Sequence, residues 1–400
     1  MGELTTLTDP STFLLQERSP VTVGTVPLSI LDLAPISAGS TVAEALRNTV
    51  DLACAAERAG YRRYWLAEHH LNPGVAGASP PLLIQAVAQA TTTIRVGSGA
   101  VQTGHRTPLS VVEECGILDA RFPGRIDLGL GRSGGPRSLP DRNGEAEEPQ
   151  ERVVDGVLIP KPFSVAGLLG SPRFRAQIEL LRQPGAKTPA YDRIVDDVLD
   201  LIACRYRSSE GVEVHAVPGE GAAVEPWVLG SSGADSAVVA GERGLRFAAN
   251  YHVSPGTVLD AVQSYREAFR PSAELTRPYV MVSADVVVGP DDAAARRLAA
   301  GYGPWVHSIR TGAGAIPFPD EAAAAAHPWT AEDRELVDDR LRTQFVGSPA
   351  TVADRLQALR AVTGADELLV TTITHRHDDR VASQTLLANE WASRDRVSTR

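Results

Sequence analysis

The strongest constraint on this chain is a rhythm that begins at residue 27: short apolar runs alternate with amphipathic segments about eight times. A short apolar run bounded by turn residues reads as a buried strand, and apolar residues three and four apart read as one helix face. On that basis strands are predicted at 28–33, 61–67, 94–101, 126–130, 226–229, 245–249, 279–288 and 367–372. Each is followed, directly or after an insertion, by a helical pattern. Several helices carry their own punctuation. Thr41 and Glu44 make a T-x-x-E start with Gly60 as the stop, Pro108 opens another, and Ser348 and Pro349 open a third that Gly364 closes. Repeated strand-then-helix order implies a parallel sheet with helices outside it. Eight such units favour a closed α/β barrel of the (β/α)8 TIM type over an open sheet.

Two irregular stretches break the rhythm. Residues 132–188 are rich in Gly, Pro, Arg and Glu, with weak helical signals at 164–169 and 174–181, and 301–345 includes an alanine tract at 322–326. A compact core does not need such long irregular segments, so both are read as insertions, the first as a lid over the site. The expected organisation is an N-terminal extension at 1–26 and one barrel domain at 27–400 carrying the two insertions.

Composition narrows the chemistry. The net charge of −10, from 39 basic and 49 acidic residues, argues against nucleic acid as a partner. No apolar run reaches membrane-spanning length. Lys161 and Lys187 are the only lysines; neither sits in a Walker-type loop, and their scarcity disfavours a Schiff-base mechanism. Cys54, Cys115 and Cys204 form no C-x-x-C pair, which fits a reducing compartment. With no basic stretch at the start of the chain, the expected location is the cytoplasm.

In a barrel of this type, functional residues gather where the strands end. The second strand ends in Glu68-His69-His70. Neighbours on a strand point opposite ways, so the two histidines are not expected to chelate one ion, and no third ligand stands nearby in sequence; no metal is expected. One reading is an inward imidazole that moves a proton, and the other is a buried, hydrogen-bonded pair. Gly97, Gly99 and Ala100 close the third strand, where glycines mark close approach by a flat ligand or by packing. Gly129-Leu130-Gly131-Arg132-Ser133-Gly134 matches G-x-G-x-x-G, but Pro136 and Pro140 follow instead of a helix. What survives is Arg132 at a strand tip, either a phosphate clamp or a surface arginine. Ser231, Ser232 and Gly233 precede a helix and form an anion cradle, unless Ser232 simply caps that helix. Asp235 in the first turn would repel a phosphate if it faced inward. Asn250, Tyr251 and His252 follow the sixth strand and are candidates for the substrate side.

Taken in order, the segments 27–32 (PLSILD), 65–70 (WLAEHH), 95–100 (RVGSGA), 125–132 (RIDLGLGR), 229–233 (LGSSG), 346–349 (VGSP) and 364–368 (GADEL) resemble the bacterial luciferase-like, flavin-dependent monooxygenases. The resemblance runs over about 27–369, interrupted by the two insertions. It implies a TIM-type barrel holding FMN at its C-terminal rim. His69 would lie beside the flavin and aid catalysis, and a non-prolyl cis peptide at Gly99–Ala100 would support the ring. Arg132, Ser231, Ser232 and Gly233 would bind the phosphate. The implied reaction is monooxygenation: reduced FMN, supplied by a separate flavin reductase, meets dioxygen to give a C4a-peroxyflavin, and one oxygen atom enters a small organic substrate. The luciferase subunit itself has a cysteine where this chain has Gly131, so light emission is not the expected role. The alternatives are a deazaflavin-dependent oxidoreductase of the same fold and a non-catalytic flavin-binding protein. The helices at 81–90 and 108–120 are apolar on more than one face, through Leu82, Leu83, Ile84 and Val87 and through Leu109, Val111, Val112, Ile117 and Leu118. That excess suggests a homodimer.

Overall fold

In the computed structural model, which describes residues 26–132 and 149–398, eight parallel strands close on themselves. They are β1 (Leu28–Asp32), β2 (Arg63–Leu66), β3 (Arg95–Ser98), β4 (Ile126–Gly131), β5 (Glu225–Gly230), β6 (Arg246–Asn250), β7 (Val280–Val288) and β8 (Glu367–Thr371). Each strand pairs with the next in chain order, and β8 returns to β1 through Leu28↔Leu368, Ser29↔Leu369 and Ile30↔Val370. Closure leaves no exposed edge. The TIM-type barrel expected from the alternation is the observed fold. Of the expected extension, residues 1–25 lie outside the described residues.

The outer ring is α1 (Val42–Ala59), α2 (Pro80–Ala90), α3 (Pro108–Arg121), α4 (Tyr191–Ile202), α5 (Asp235–Glu242), α6 (Val258–Ala268), α7 (Pro349–Thr363) and α8 (His377–Ser398). The Thr41 side chain accepts from Glu44 N, and Gly60 ends α1 at φ 85°, a left-handed conformation that only glycine adopts at little cost. Ser348 and Gly364 bracket α7 in the same way.

Inside the barrel, side chains fill layers. At the base, Arg63 lies 2.7–3.0 Å from carboxylate oxygens of Asp127, Glu225 and Glu367, and Arg95 reaches Asp127 at 2.6 Å. Such a cluster offsets its desolvation only while every charge is paired. Above it, Trp65 and Trp227 meet edge to face at 5.0 Å, and Trp65 Nε1 donates to Asp127 Oδ2 at 2.9 Å. Both rings are fully buried and plug the barrel above that base.

The insertions differ from expectation. The stretch at 301–345 is largely helical, with helices Tyr302–Arg310, Glu321–Ala325 and Ala331–Thr343. Gly and Pro commonly break helices, but Gly303 and Pro304 fall in the first turn, where the missing N–H of proline has no intrahelical partner to lose. In the first insertion a hairpin pairs Arg152–Val154 with Val157–Ile159 around Asp155 (φ 46°) and Gly156 (φ 84°). Two residues of positive φ are what a tight hairpin turn requires.

Candidate active site

The C-terminal end of β2 carries Glu68, His69 and His70, and the structure sends them different ways. His69 is held by its backbone, whose N–H donates to Gly77 O at 2.7 Å, while its ring borders the central cavity with Nδ1 buried and unpartnered. Burial first, and the neighbouring His70 next, push its imidazole down to about 4, with Glu68 pulling the other way. The ring is therefore neutral at pH 7, able to accept a proton at one nitrogen and donate at the other.

His70, like His69, lies just past the end of β2, and its ring turns to Glu68. Its Nε2 lies 2.8 Å from Glu68 Oε1, and His105 Nε2 lies 3.0 Å from the same oxygen. No third ligand was evident in sequence; the fold brings His105 from the loop after β3. The three side chains have metal-ligand chemistry and lie within 4.8 Å of one another. Glu68 is already heavily used, however. Its Oε2 accepts from Gln102 N at 2.9 Å and Arg106 Nε approaches Oε1 at 3.5 Å. Those contacts hold the carboxyl down at about 2 in spite of burial. With a guanidinium beside it, the cluster is a hydrogen-bond hub that pins the chain just past β3.

That chain includes Gly99 and Ala100, joined by a cis peptide bond as the resemblance implied. A Cβ on Gly99 would meet Leu31 Cδ1 at 2.7 Å. That atom is the far end of a flexible side chain, and Leu31 and Gly99 both border the cavity.

Arg132 and the serine turn, predicted from separate strands, lie together at the rim. Arg132 crosses from β4 to pair with Asp235 of α5 at 2.5 Å. Ser232 does not cap α5: the cap position is Ala234 and no side chain bonds there. The Ser231 and Ser232 hydroxyls are thus not spent on the helix end. An arginine, two hydroxyls and the N-terminus of an eight-residue helix make a site that fits a phosphate, with Asp235 as its internal competitor.

Of the substrate-side candidates after β6, Asn250 and His252 line the other half of the mouth, whereas Tyr251 does not and its hydroxyl donates to Leu158 O at 2.9 Å; the rest of that half was not legible as a motif. A cavity of about 410 Å3 extends from His69 and Gly99 to Asn250 and His252 at the end of β6, Ser283 and Asp285 on β7, and Thr371 on β8. Its far wall is Trp305, Ile309, Ala315 and Arg340, all from the second insertion. The first insertion, expected as the lid, lines none of the cavity with its described residues; 133–148 lie outside them. Three side chains lock the far wall to β7. Arg340 donates to Tyr302 Oη at 2.7 Å and to Asp285 Oδ2 at 3.2 Å, and Tyr302 donates to the same Asp285 oxygen. Asp285 was findable, since it is the one charged residue in the β7 run VMVSADVVV. His252 Nδ1 lies 2.7 Å from Ser283 Oγ, and burial, then the nearby Arg340 charge, push its ring down to about 3.

Comparison with known proteins was made against this geometry. The sequence model described as luciferase-like monooxygenase matches residues 26–162 and 181–367. The uncharacterized protein YvbT of Bacillus subtilis (strain 168) is 35% identical, over 92% of this chain and 97% of that protein. A luciferase-like monooxygenase of Escherichia coli (strain K12) is 33% identical, over 90% of this chain and 95% of its own length. Among solved structures, apo-MsnO8 superposes with a TM-score of 0.72 at 28% identity, covering 92% of this chain and 98% of that one. The oxygenating constituent of a type II Baeyer–Villiger monooxygenase from Pseudomonas putida, in complex with FMN, shares the fold at a TM-score of 0.62 and 20% identity, covering 92% and 99%. An F420-dependent secondary alcohol dehydrogenase does so at 0.57 and 13%, with coverage of 92% and 99%.

Proposed function

Because the chain belongs to the luciferase-like monooxygenase family, we propose that it is a flavin-dependent monooxygenase acting on a small organic substrate with reduced FMN and dioxygen. One observation carries this reading: a phosphate-sized anion rim and a largely apolar cavity bordered by a neutral imidazole open at the same end of one plugged barrel. Reduced flavin, when bound, supplies the electrons that activate dioxygen for transfer of one oxygen atom.

The chain's own residues then do the following. Arg132, Ser231, Ser232 and Gly233 would hold the phosphate, with Arg132 drawn from its pairing with Asp235. Gly99 and Ala100 would lie against the ring. His69 Nδ1 and Nε2 hold or release a proton beside it. The Trp65–Trp227 plug below and the insertion helices at the side exclude water. A separate flavin reductase delivers the reduced nucleotide. The chain pairs as a homodimer through α2 and α3, which pack together and leave Leu82, Leu109 and Ile117 at 72%, 45% and 50% exposure.

Titration of the purified chain with FMN, reduced FMN, FAD and a deazaflavin tests the reading. Tight binding of FMN that Arg132→Ala weakens is the expected result. Preference for the deazaflavin would replace monooxygenation by hydride transfer on the same fold. Flavin binding without oxygen consumption in the presence of a reductase and substrates would leave a flavin-binding protein.

A further inference from the structure

His252, the imidazole in the far half of the cavity, is held in a way that lets it reverse its hydrogen-bonding sense. We propose that His252, with Ser283 behind it, is a reversible hydrogen-bond partner for the polar edge of the flavin ring, donating to the oxidised ring and accepting from the reduced one. The inference rests on the flavin reading, with the flavin ring in the cavity that His69 and Gly99 border.

Placement is the first observation. His252 follows β6 and lines the same cavity as His69 and Gly99, so it faces the same occupant. Its Nδ1 lies 2.7 Å from Ser283 Oγ, which ties the imidazole to β7. Among the described residues nothing bonds Nε2. Unlike His69 Nδ1, that nitrogen is not sealed away, so it reaches the open space that His252 lines.

The second observation is the hydroxyl behind the imidazole. Burial, then Arg340, push His252 down to about 3, so at pH 7 it is neutral. A neutral imidazole has one nitrogen as donor and the other as acceptor, and the partner of Nδ1 decides which is which. Ser283 Oγ can donate to Nδ1, which leaves Nε2 as N–H. It can also accept from Nδ1–H and turn its own proton to Ala249 O or Asn250 Oδ1, each 3.4 Å away, which leaves Nε2 as an acceptor. Neither state requires the imidazole to move. A carboxylate or a carbonyl in place of the hydroxyl would accept only, and would hold the proton on Nδ1.

The third is the match to the cofactor. The oxidised ring carries a bare nitrogen acceptor at its polar edge, and uptake of two electrons and a proton turns that nitrogen into an N–H donor. A partner that only donates, as Arg340 on the same wall does, suits one of these states. An imidazole backed by a hydroxyl suits both.

The test uses the full chain with 15N-labelled histidine. Imidazole nitrogen shifts separate the two tautomers, and the signals lost in His252→Gln assign the residue. Oxidised FMN is added first and then reduced with dithionite under anaerobic conditions. The expected result is N–H at Nε2 with oxidised FMN and at Nδ1 with reduced FMN. Ser283→Ala should hold one tautomer throughout and change the ratio of affinities for the two forms by about three- to tenfold, the scale of one hydrogen bond. Ser283→Thr restores the hydroxyl and should return the ratio toward the parent value, a recovery that a purely structural role would not predict. The same tautomer in both redox states overturns the inference. So does FMN that binds without altering the His252 signals. FMN that does not bind in either state is a different failure: it removes the flavin reading, and this inference with it.

Discussion

The two arcs of the barrel mouth are built on different principles. The arc from β2 to β5 presents short contiguous segments: Glu68 to His70, Gly99 with Ala100, Arg132, and Ser231 to Gly233. The arc from β6 to β8 works through Asp285, Tyr302 and Arg340, which come from a strand and two inserted helices and meet only in the folded chain. The first arc is open to exchange, with Arg132 and Asp235 both partly exposed. The second is closed, with Asp285, Tyr302 and Arg340 all buried. On the proposed reading, a rim that admits and releases a nucleotide is separated from a wall that holds its shape.

Breaking one pair in each arc puts that contrast to its most severe test. Arg340→Ala leaves Asp285 buried beside Tyr302 without its cation, and removal of one partner of a buried pair costs about 3–5 kcal/mol. The midpoint of urea unfolding should fall accordingly. Asp285→Asn combined with Arg340→Met, which removes both charges, should recover much of the loss. If Arg340→Ala unfolds at the parent midpoint, the far wall is not locked as described.

Arg132→Ala should do the reverse. Partly exposed ion pairs contribute about 0–1 kcal/mol to stability, so the unfolding midpoint should barely move. FMN affinity should drop by about 1.5–3 kcal/mol, or roughly tenfold to a hundredfold, the worth of a charge-assisted contact to phosphate. An Arg132→Ala chain that is destabilised yet binds FMN normally would erase the distinction between the arcs.

Each arc also contributes one neutral imidazole, and pH can show that both are buried. His69 is pushed down to about 4 and His252 to about 3, whereas a histidine in the unfolded chain titrates near 6.5. The unfolded chain therefore takes up protons that the folded chain refuses. Stability tied to these rings is intact above about pH 6.5 and falls as the pH drops toward 4. Melting temperatures across that window should decline more for the parent than for His69→Asn or His252→Asn. Equal slopes would mean that the rings are solvated.

The same contrast decides what could be read from sequence. Eight strand–helix alternations gave the barrel because periodicity is local. Arg132 and the serine turn were singled out because strand tips and helix starts have chemistry of their own. His105 was not, since nothing in sequence relates it to Glu68, 37 positions earlier as the numbering runs. The base of Arg63, Asp127, Glu225 and Glu367 escaped notice because each lies alone in an apolar strand and only closure of the sheet brings them together. The helices at 302–310 and 331–343 were hidden for a different reason. The first opens on Tyr302 with Gly303 and Pro304 in its first turn, which interrupts the reading of its apolar face of Tyr302, Trp305, Val306 and Ile309, and the second is mostly charged.

The finest distinction within the first arc concerns Asp235. It occupies the Arg132 guanidinium at 2.5 Å and sits in the first turn of α5, where a negative charge is stabilised by the helix dipole. A phosphate arriving there must compete with it for both. Asp235→Asn keeps the size and a hydrogen-bonding side chain but removes the competing charge. The helix should lose about 0.3–1 kcal/mol from the dipole interaction. FMN, and inorganic phosphate as a minimal probe, should bind severalfold more tightly, the loss of one partly exposed pair being worth about 1 kcal/mol or less. Weaker binding in that variant would mean that Asp235 orients Arg132 for the phosphate instead of opposing it, and the rim would then be a preformed clamp like the far wall.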